Sequence, residues 1–219
     1  NGKPIGRNTH ERTVTTKSNT ANRADNAKRA GKKLHVNSTA PKPYRFQKQD
    51  VIRMEKMGLR SLLSWDMGLG KTIASLGCMH RNPQMAPTLI VCPASVKYMW
   101  QAEATQFGVR ASVAEGRIPP VYSAGRMLNQ SKMLIINYDI LADWLPTLQK
   151  MNFQSVILDE CQLLGNLESR RTQAAMELAR PIPARVALSG TPLTNRPAEL
   201  WPTLNILRPD LWGSFWQFA

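Results

Sequence analysis

From residue 41 onward the apolar positions fall into two rhythms. Short, mainly apolar runs ("TLIVCP", "KMLIINY", "SVILDE" and "ARVALSG") have the length and β-branched content of buried strands, and "LRSLLS" reads as a further short strand. Between them the spacing opens to three and four residues, the period of a helix with one buried face. "RFQKQDVIRMEK", entered after two prolines and closed by Gly58, puts Val51, Met54 and Met57 on one stripe. "KTIASLGCMH", "VKYMWQAEATQFG", "DILADWLPTLQK", residues 169–179 and "AELWPTLNILRP" read the same way, with Pro146 predicting a kink or break in the third of these. A weaker strand is predicted at "PPVYS", after a turn-rich stretch. Strands alternating with helices predict an α/β fold: a parallel sheet with helices on both faces. No internal repeat is visible.

In such a sheet ligands gather beyond the carboxyl ends of the strands. The residues with chemical interest fall there: residues 68–72, Pro93, Tyr138 with Asp139, Asp159 with Glu160, and residues 189–191. In "WDMGLGKT", Gly68 and Gly70 let the backbone turn sharply and aim its N–H groups at phosphates. Lys71 reaches the β/γ-phosphates and the Thr72 hydroxyl binds magnesium. The helix that follows points its positive end at the anion. The strict phosphate-loop pattern wants glycine where Trp65 stands, and a glycine-rich turn with an ordinary surface lysine is the plainer alternative. Asp159 and Glu160 end a strand on two carboxylates. Two solvated acids at a helix start would look the same. Beside a phosphate loop, Asp159 completes the magnesium site and Glu160 polarises the attacking water. Ser189, Gly190 and Thr191 set small hydroxyls at the end of the last strand, next to the expected γ-phosphate.

Charge alters the picture mainly at the start of the chain. The protein has 219 residues and a net charge of +14, half of it within residues 1–40, which hold nine Lys/Arg, two Asp/Glu and no aromatic residue. Such a segment cannot offset its ordering entropy by burial and is expected to be a disordered basic arm. Charge alone supports a solvated linker or expression remnant as well as an arm lying on nucleic acid. The leader also resembles an organelle transit peptide, without a regular apolar face. No apolar run approaches a membrane span and no secretory leader is visible. The three cysteines, Cys78, Cys92 and Cys161, fit no metal knuckle and read as reduced thiols of an intracellular protein: the cytoplasm of a prokaryotic or phage-infected cell, or a nucleus. The histidines are scattered. The chain begins at Asn1 and stops in an aromatic-rich run, as a fragment would.

"DMGLGKT", "LIVCPASVKYMWQAE", "LIINYDIL", "VILDECQLLGN" and "LSGTPLTNRPAELWPTLNILRPDLW" stand in the order and spacing of the first motor lobe of Swi/Snf-type ATPases of helicase superfamily two. The resemblance covers residues 41–219, and "PYRFQ" and "RPAELW" look most like the annealing-helicase branch. It implies a RecA-like lobe of the phosphate-loop NTPase class, ATP with Mg2+, and movement along double-stranded DNA. It implies that Gln47 reads adenine, that Met67, Gly68, Leu69, Gly70, Lys71 and Thr72 bind ATP, and that Thr72 and Asp159 hold the metal. Lys71, Asp159 and Glu160 would carry catalysis, and Gln162, Ser189, Gly190 and Thr191 would couple nucleotide state to DNA. Pro93, Ala94, Ser95, Tyr138 and Asp139 lie where family members approach the DNA backbone. Trp100 and Glu103 also match, although a core aromatic and a helix charge explain them equally well.

Departures are visible too. Gln162 stands where the family usually has histidine, Cys161 where it has a small residue or serine, and Trp65 where it has an acid. The second lobe, whose arginine finger would be worth about 10³–10⁵ in rate, is not in this sequence, so the chain is expected to bind nucleotide better than it turns it over. Two other readings stand beside this one: an RNA-dependent or strand-separating helicase of the same superfamily, and a non-catalytic module that keeps ATP or DNA as a ligand.

Overall fold

The computed structural model describes Gly2 and residues 41–120, 131–193 and 196–218. The arm expected over residues 1–40 therefore lies outside the described residues except for Gly2. Residues 34–219 group as one compact unit, and its architecture is as follows.

Six strands, β1 (Arg60–Leu63), β2 (Thr88–Cys92), β3 (Ala111–Val113), β4 (Met133–Asn137), β5 (Ser155–Leu158) and β6 (Ala184–Leu188), pair in parallel in the order β1-β6-β5-β2-β4-β3. The α-helices among the described residues are α1 (Arg45–Lys56), α2 (Lys71–Arg81), α3 (Lys97–Gln106), α4 (Tyr138–Leu148), α5 (Arg170–Ala179), α6 (Trp201–Leu207) and the short α7 (Phe215–Phe218).

Side chains alternate across a strand, so each apolar run feeds two cores at once. Leu89, Val91, Leu134, Ile136, Val156 and Leu158 pack with Leu141 and Trp144 of α4, Ala175 and Leu178 of α5, and Ile206 of α6. Ile90, Cys92, Met133, Ile135 and Ile157 pack with Val51 and Met54 of α1, Leu76 of α2, and Trp100 and Ala104 of α3. Burial on both faces is why strands β2, β4 and β5 read as nearly continuous apolar runs, and β6 as one broken only by Arg185; all their residues are buried. β6 is also tied down by Arg185. Its guanidinium is buried and donates to the carbonyls of Ile182 (2.7 Å), Ile206 (2.7 Å) and Arg180 (2.9 Å), fixing the end of α6 against the turn that enters β6.

Three local expectations need correction. Met57 is not on the buried stripe of α1: it caps the helix and is 54% exposed. Pro146 does not break α4, which runs through it. Its missing N–H costs one bond of the ladder near the C-terminal end, and Leu141, Trp144 and Leu148 hold the helix on the sheet. Pro119 and Pro120 of the predicted strand "PPVYS" form no strand, and its other residues lie outside the described ones. The edge strand is instead Ala111–Val113, three half-buried residues with too little apolar content to stand out.

Candidate nucleotide site at the carboxyl ends of the strands

The strand order brings the ends of β1, β6 and β5 side by side, and the segments leaving them carry most of the chemistry. After β1 the chain turns through residues 64–70 into α2. Gly68 and Gly70 have φ of +79° and +75°, the left-handed region that other residues enter at a cost. At Gly70 a side chain would also displace the Gln47 amide, because a Cβ would lie 2.6 Å from Gln47 Nε2. Lys71 opens α2 and Thr72 stands in its first turn. Lys71 Nζ donates to the carbonyls of Trp65 (3.0 Å) and Asp66 (3.3 Å). A Cβ on Gly190, at the end of β6, would come within 3.5 Å of that same nitrogen and 3.2 Å of Met67 Cγ, so the phosphate-loop candidate and the residue 189–191 segment touch.

Gln47 lies under this loop. Its Nε2 donates to the Leu69 carbonyl (2.8 Å) and its Oε1 accepts from the Tyr44 N–H (2.8 Å), and the residue is 1% exposed. The residue expected to read adenine here has its amide engaged by the chain, buttressing the loop and capping α1. Trp65, which departs from the family pattern, has a physical account here. Its indole N–H donates to Asp50 Oδ2 (3.0 Å) and its ring meets Phe46 edge-on, with centroids 5.1 Å apart, fastening the start of the loop to α1.

At the end of β5, Asp159 is buried and Glu160 half-buried. Asp159 Oδ2 accepts from the Trp100 indole N–H (2.8 Å) and Oδ1 from the Glu160 backbone N–H (3.0 Å). Burial, chiefly, pushes the Asp159 carboxyl above its ordinary range, with the Trp100 hydrogen bond working the other way and the Glu160 charge adding to the rise. Glu103, one turn beyond Trp100, is raised by its own burial and then by the charge of Asp159; its Oε2 is buried without a hydrogen-bond partner among the described residues. Glu160 has φ of +49°, a strained conformation for a residue with a side chain. Its Oε2 accepts from Gln162 Nε2 (2.7 Å). Gln162 Oε1 in turn accepts from Ser189 Oγ (2.7 Å), and Ser189 Oγ accepts from the Thr191 N–H (3.0 Å). The glutamine thus joins the β5 and β6 ends through both faces of its amide. Cys161 is no nucleophile: burial pushes its thiol up to about 12.

The remaining candidates divide. Ala94, Ser95 and Asp139 are exposed and Pro93 partly so, at the ends of β2 and β4. Tyr138 is different: it is 2% exposed and donates from its hydroxyl to the Asp159 carbonyl (2.9 Å), so its side chain is part of the core behind the site and not a surface for DNA.

The donor set suits a small hard cation. Thr72 offers a hydroxyl and Asp159 a carboxylate, and each oxygen of that carboxylate holds one donor from the chain, leaving lone pairs on both for a metal. Mg2+ bound there would supply charge neutralisation and orientation for phosphate oxygens. The burial of Asp159 has a measurable signature. Its folded-state affinity for a proton is higher than in the unfolded chain, so folded protein holds more protons as pH rises from the ordinary value of 3.8. Stability is lost over that interval. Thermal midpoints across acid pH should therefore fall for the wild type relative to Asp159→Asn until the raised value is passed and then run parallel. Parallel curves throughout would contradict the burial penalty.

The model of the SNF2-related domain family matches residues 47–219. Human "DNA annealing helicase and endonuclease ZRANB3" is 29% identical over 178 residues, an alignment covering 80% of this chain and 16% of that protein. The Caenorhabditis elegans homolog of "SWI/SNF-related matrix-associated actin-dependent regulator of chromatin subfamily A-like protein 1" is 30% identical over 181 residues, covering 80% and 25%. The solved Sulfolobus solfataricus SWI2/SNF2 ATPase core in complex with dsDNA superposes with a TM-score of 0.69 at 25% identity, over 85% of this chain and 40% of that one. The chain spans about a quarter or less of the length of these two curated relatives.

Proposed function

This chain belongs to the SNF2-related domain family as an N-terminal, RecA-like motor lobe of Swi/Snf type, and from that premise we propose that it binds Mg-ATP and double-stranded DNA as the first half of an ATP-dependent DNA translocase. The proposal divides the chain into a basic arm, residues 1–40, and a motor lobe, residues 41–219. The observation that carries it is the unbroken hydrogen-bond path Glu160–Gln162–Ser189–Thr191 lying against Lys71 and Gly190. A phosphate cradle, two acids and a hydroxyl-bearing strand end, joined this way, make a unit that holds a nucleoside triphosphate and senses its loss.

In this reading residues 67–72 cradle the phosphates, Thr72 and Asp159 hold Mg2+, and Glu160 polarises the water. The Gln162 amide carries the change to residues 189–191, taking the place that histidine fills elsewhere. Pro93, Ala94, Ser95 and Asp139 lie on the side offered to the DNA backbone. Hydrolysis at full rate calls for a second RecA-like lobe to close on the site and supply transition-state charge. The relative named a DNA annealing helicase and the neighbour solved in complex with dsDNA support a DNA-directed activity over RNA dependence. The retention of Lys71, Asp159 and Glu160 supports catalysis over mere ligand binding. No helix among the described residues is long and apolar enough to cross a membrane; the proposed setting is the cell interior or nucleus, on DNA.

The arm gives the test. Its nine basic side chains neutralise phosphates and its lack of aromatics leaves it nothing to stack on bases. Each phosphate neutralised contributes about −0.9 to the slope of log affinity against log salt. Fluorescence anisotropy should show duplex DNA bound more tightly than RNA of equal length. Removing residues 1–40 should flatten the salt slope by similar amounts on unrelated duplexes. An unchanged slope would make the arm a linker, and preference for RNA would overturn the DNA assignment.

A further inference from the structure

Trp100 is completely buried, at the centre of the core formed by α1, α2 and α3. A buried indole is a large apolar body with one polar atom that must find an acceptor. Trp144, equally buried on the other face of the sheet, shows the ordinary solution: its N–H goes to a backbone carbonyl, that of Gly116, at 2.8 Å. Trp100 instead reaches from α3 to the end of β5 and gives its N–H to a carboxylate, Asp159 Oδ2, at 2.8 Å.

That contact does more than satisfy the indole. An ionised carboxylate has about four lone-pair sites. On Asp159 the Glu160 backbone N–H takes one on Oδ1 and Trp100 takes one on Oδ2. Two donors on two different oxygens fix both torsions of a short side chain, and the sites left over are then fixed in direction. The backbone donor alone would leave the carboxyl group free to rock about the bond to Oδ1.

We propose that Trp100 is a positioning residue for Asp159, its indole N–H setting the orientation in which the carboxylate receives the metal ion. The inference rests on the reading of Asp159 as the metal-holding acid. It assigns Trp100 a task that core packing does not require. Outer partners of metal-binding carboxylates typically contribute about 10–100-fold to metal affinity or activity.

Trp100→Phe keeps the aromatic bulk and removes the N–H. ADP affinity is measured by calorimetry across a series of Mg2+ concentrations for the wild type, Trp100→Phe, Asp159→Asn and the double variant. Trp100→Phe is expected to raise the Mg2+ concentration giving half of the magnesium effect by about ten-fold or more, while ADP affinity in EDTA stays as in the wild type. In the Asp159→Asn background the same change is expected to add nothing. An unshifted magnesium midpoint overturns the inference, as does an equal shift in both backgrounds, which would mark Trp100 as a packing residue.

Should Trp100→Phe not fold, indole N–H resonances of the wild type and Asp159→Asn decide instead. One indole signal is expected to move on Asp159→Asn and on adding Mg-ADP to the wild type; no common responding signal refutes the inference. Wild-type protein with no magnesium-dependent ADP binding would refute the underlying metal reading, a separate outcome.

Discussion

Lys71→Ala should abolish measurable Mg-ATP binding while leaving the fold intact. Lys71 is the single lysine at the mouth of α2, and its nitrogen lies where the turn after β1, Gly190 at the end of β6, and the charge of Asp159 converge. A charged donor on a polyanion is among the stronger contacts a site offers. Its present partners are the carbonyls of Trp65 and Asp66, both near the surface, so alanine leaves them to water at little cost to stability. Calorimetry reads the loss directly. Thermal melting reads it a second way: a ligand at 100 times its dissociation constant stabilises the folded state by about 2.7 kcal/mol, and the variant should show none of that rise. Undiminished ATP affinity in Lys71→Ala would remove the phosphate-loop assignment.

Glu160→Gln should keep ATP binding and lose about 10²–10⁴ of the hydrolysis rate, the usual contribution of a general base. The substitution is informative because the neighbouring hydrogen bonds survive it. Glutamine at 160 still presents an oxygen to Gln162 Nε2, so the path through Ser189 to Thr191 remains complete. Only the charge that draws a proton from water is gone. Single-turnover hydrolysis, measured in protein carrying both motor lobes with duplex DNA present, gives the rate. A loss below about ten-fold would move the base elsewhere.

The sheet was legible because strands buried on both faces leave mainly apolar runs, and "TLIVC", "MLIIN", "SVIL" and, Arg185 apart, "ARVAL" are such runs. β3 was hidden for the opposite reason. At the sheet edge, half-buried, Ala111–Val113 needs no apolar pattern to pair with β4. The candidate site was legible as residue types at strand ends but not as contacts. Nothing in the spacing says that Gln47 turns its amide to Leu69, that Tyr138 is buried beneath Asp159, or that Trp65 answers to Asp50, since each depends on how two distant elements pack. Trp100 shows the limit best. A tryptophan on the inner face of a helix reads as core, and core it is; only the position of the Asp159 oxygen reveals what its one polar atom is holding.

The pairing of Arg60 with Arg185, and of β1 with β6 throughout, also bears on how the molecule comes into being. Among the described strands β1 comes first in the sequence and β6 last, yet they are neighbours. While the chain is still emerging, the lysine-bearing turn has no strand beside it on that side and no Gly190 to meet. Closing so long a span defers the reward for much of the lost chain entropy to a late step. A nascent or truncated chain that stops before residue 184 therefore lacks the β6 side of the proposed nucleotide site however well its earlier helices form. A ligand bound there, as proposed for nucleotide, would act as a check on completeness, favouring only chains in which β1 and β6 have found each other.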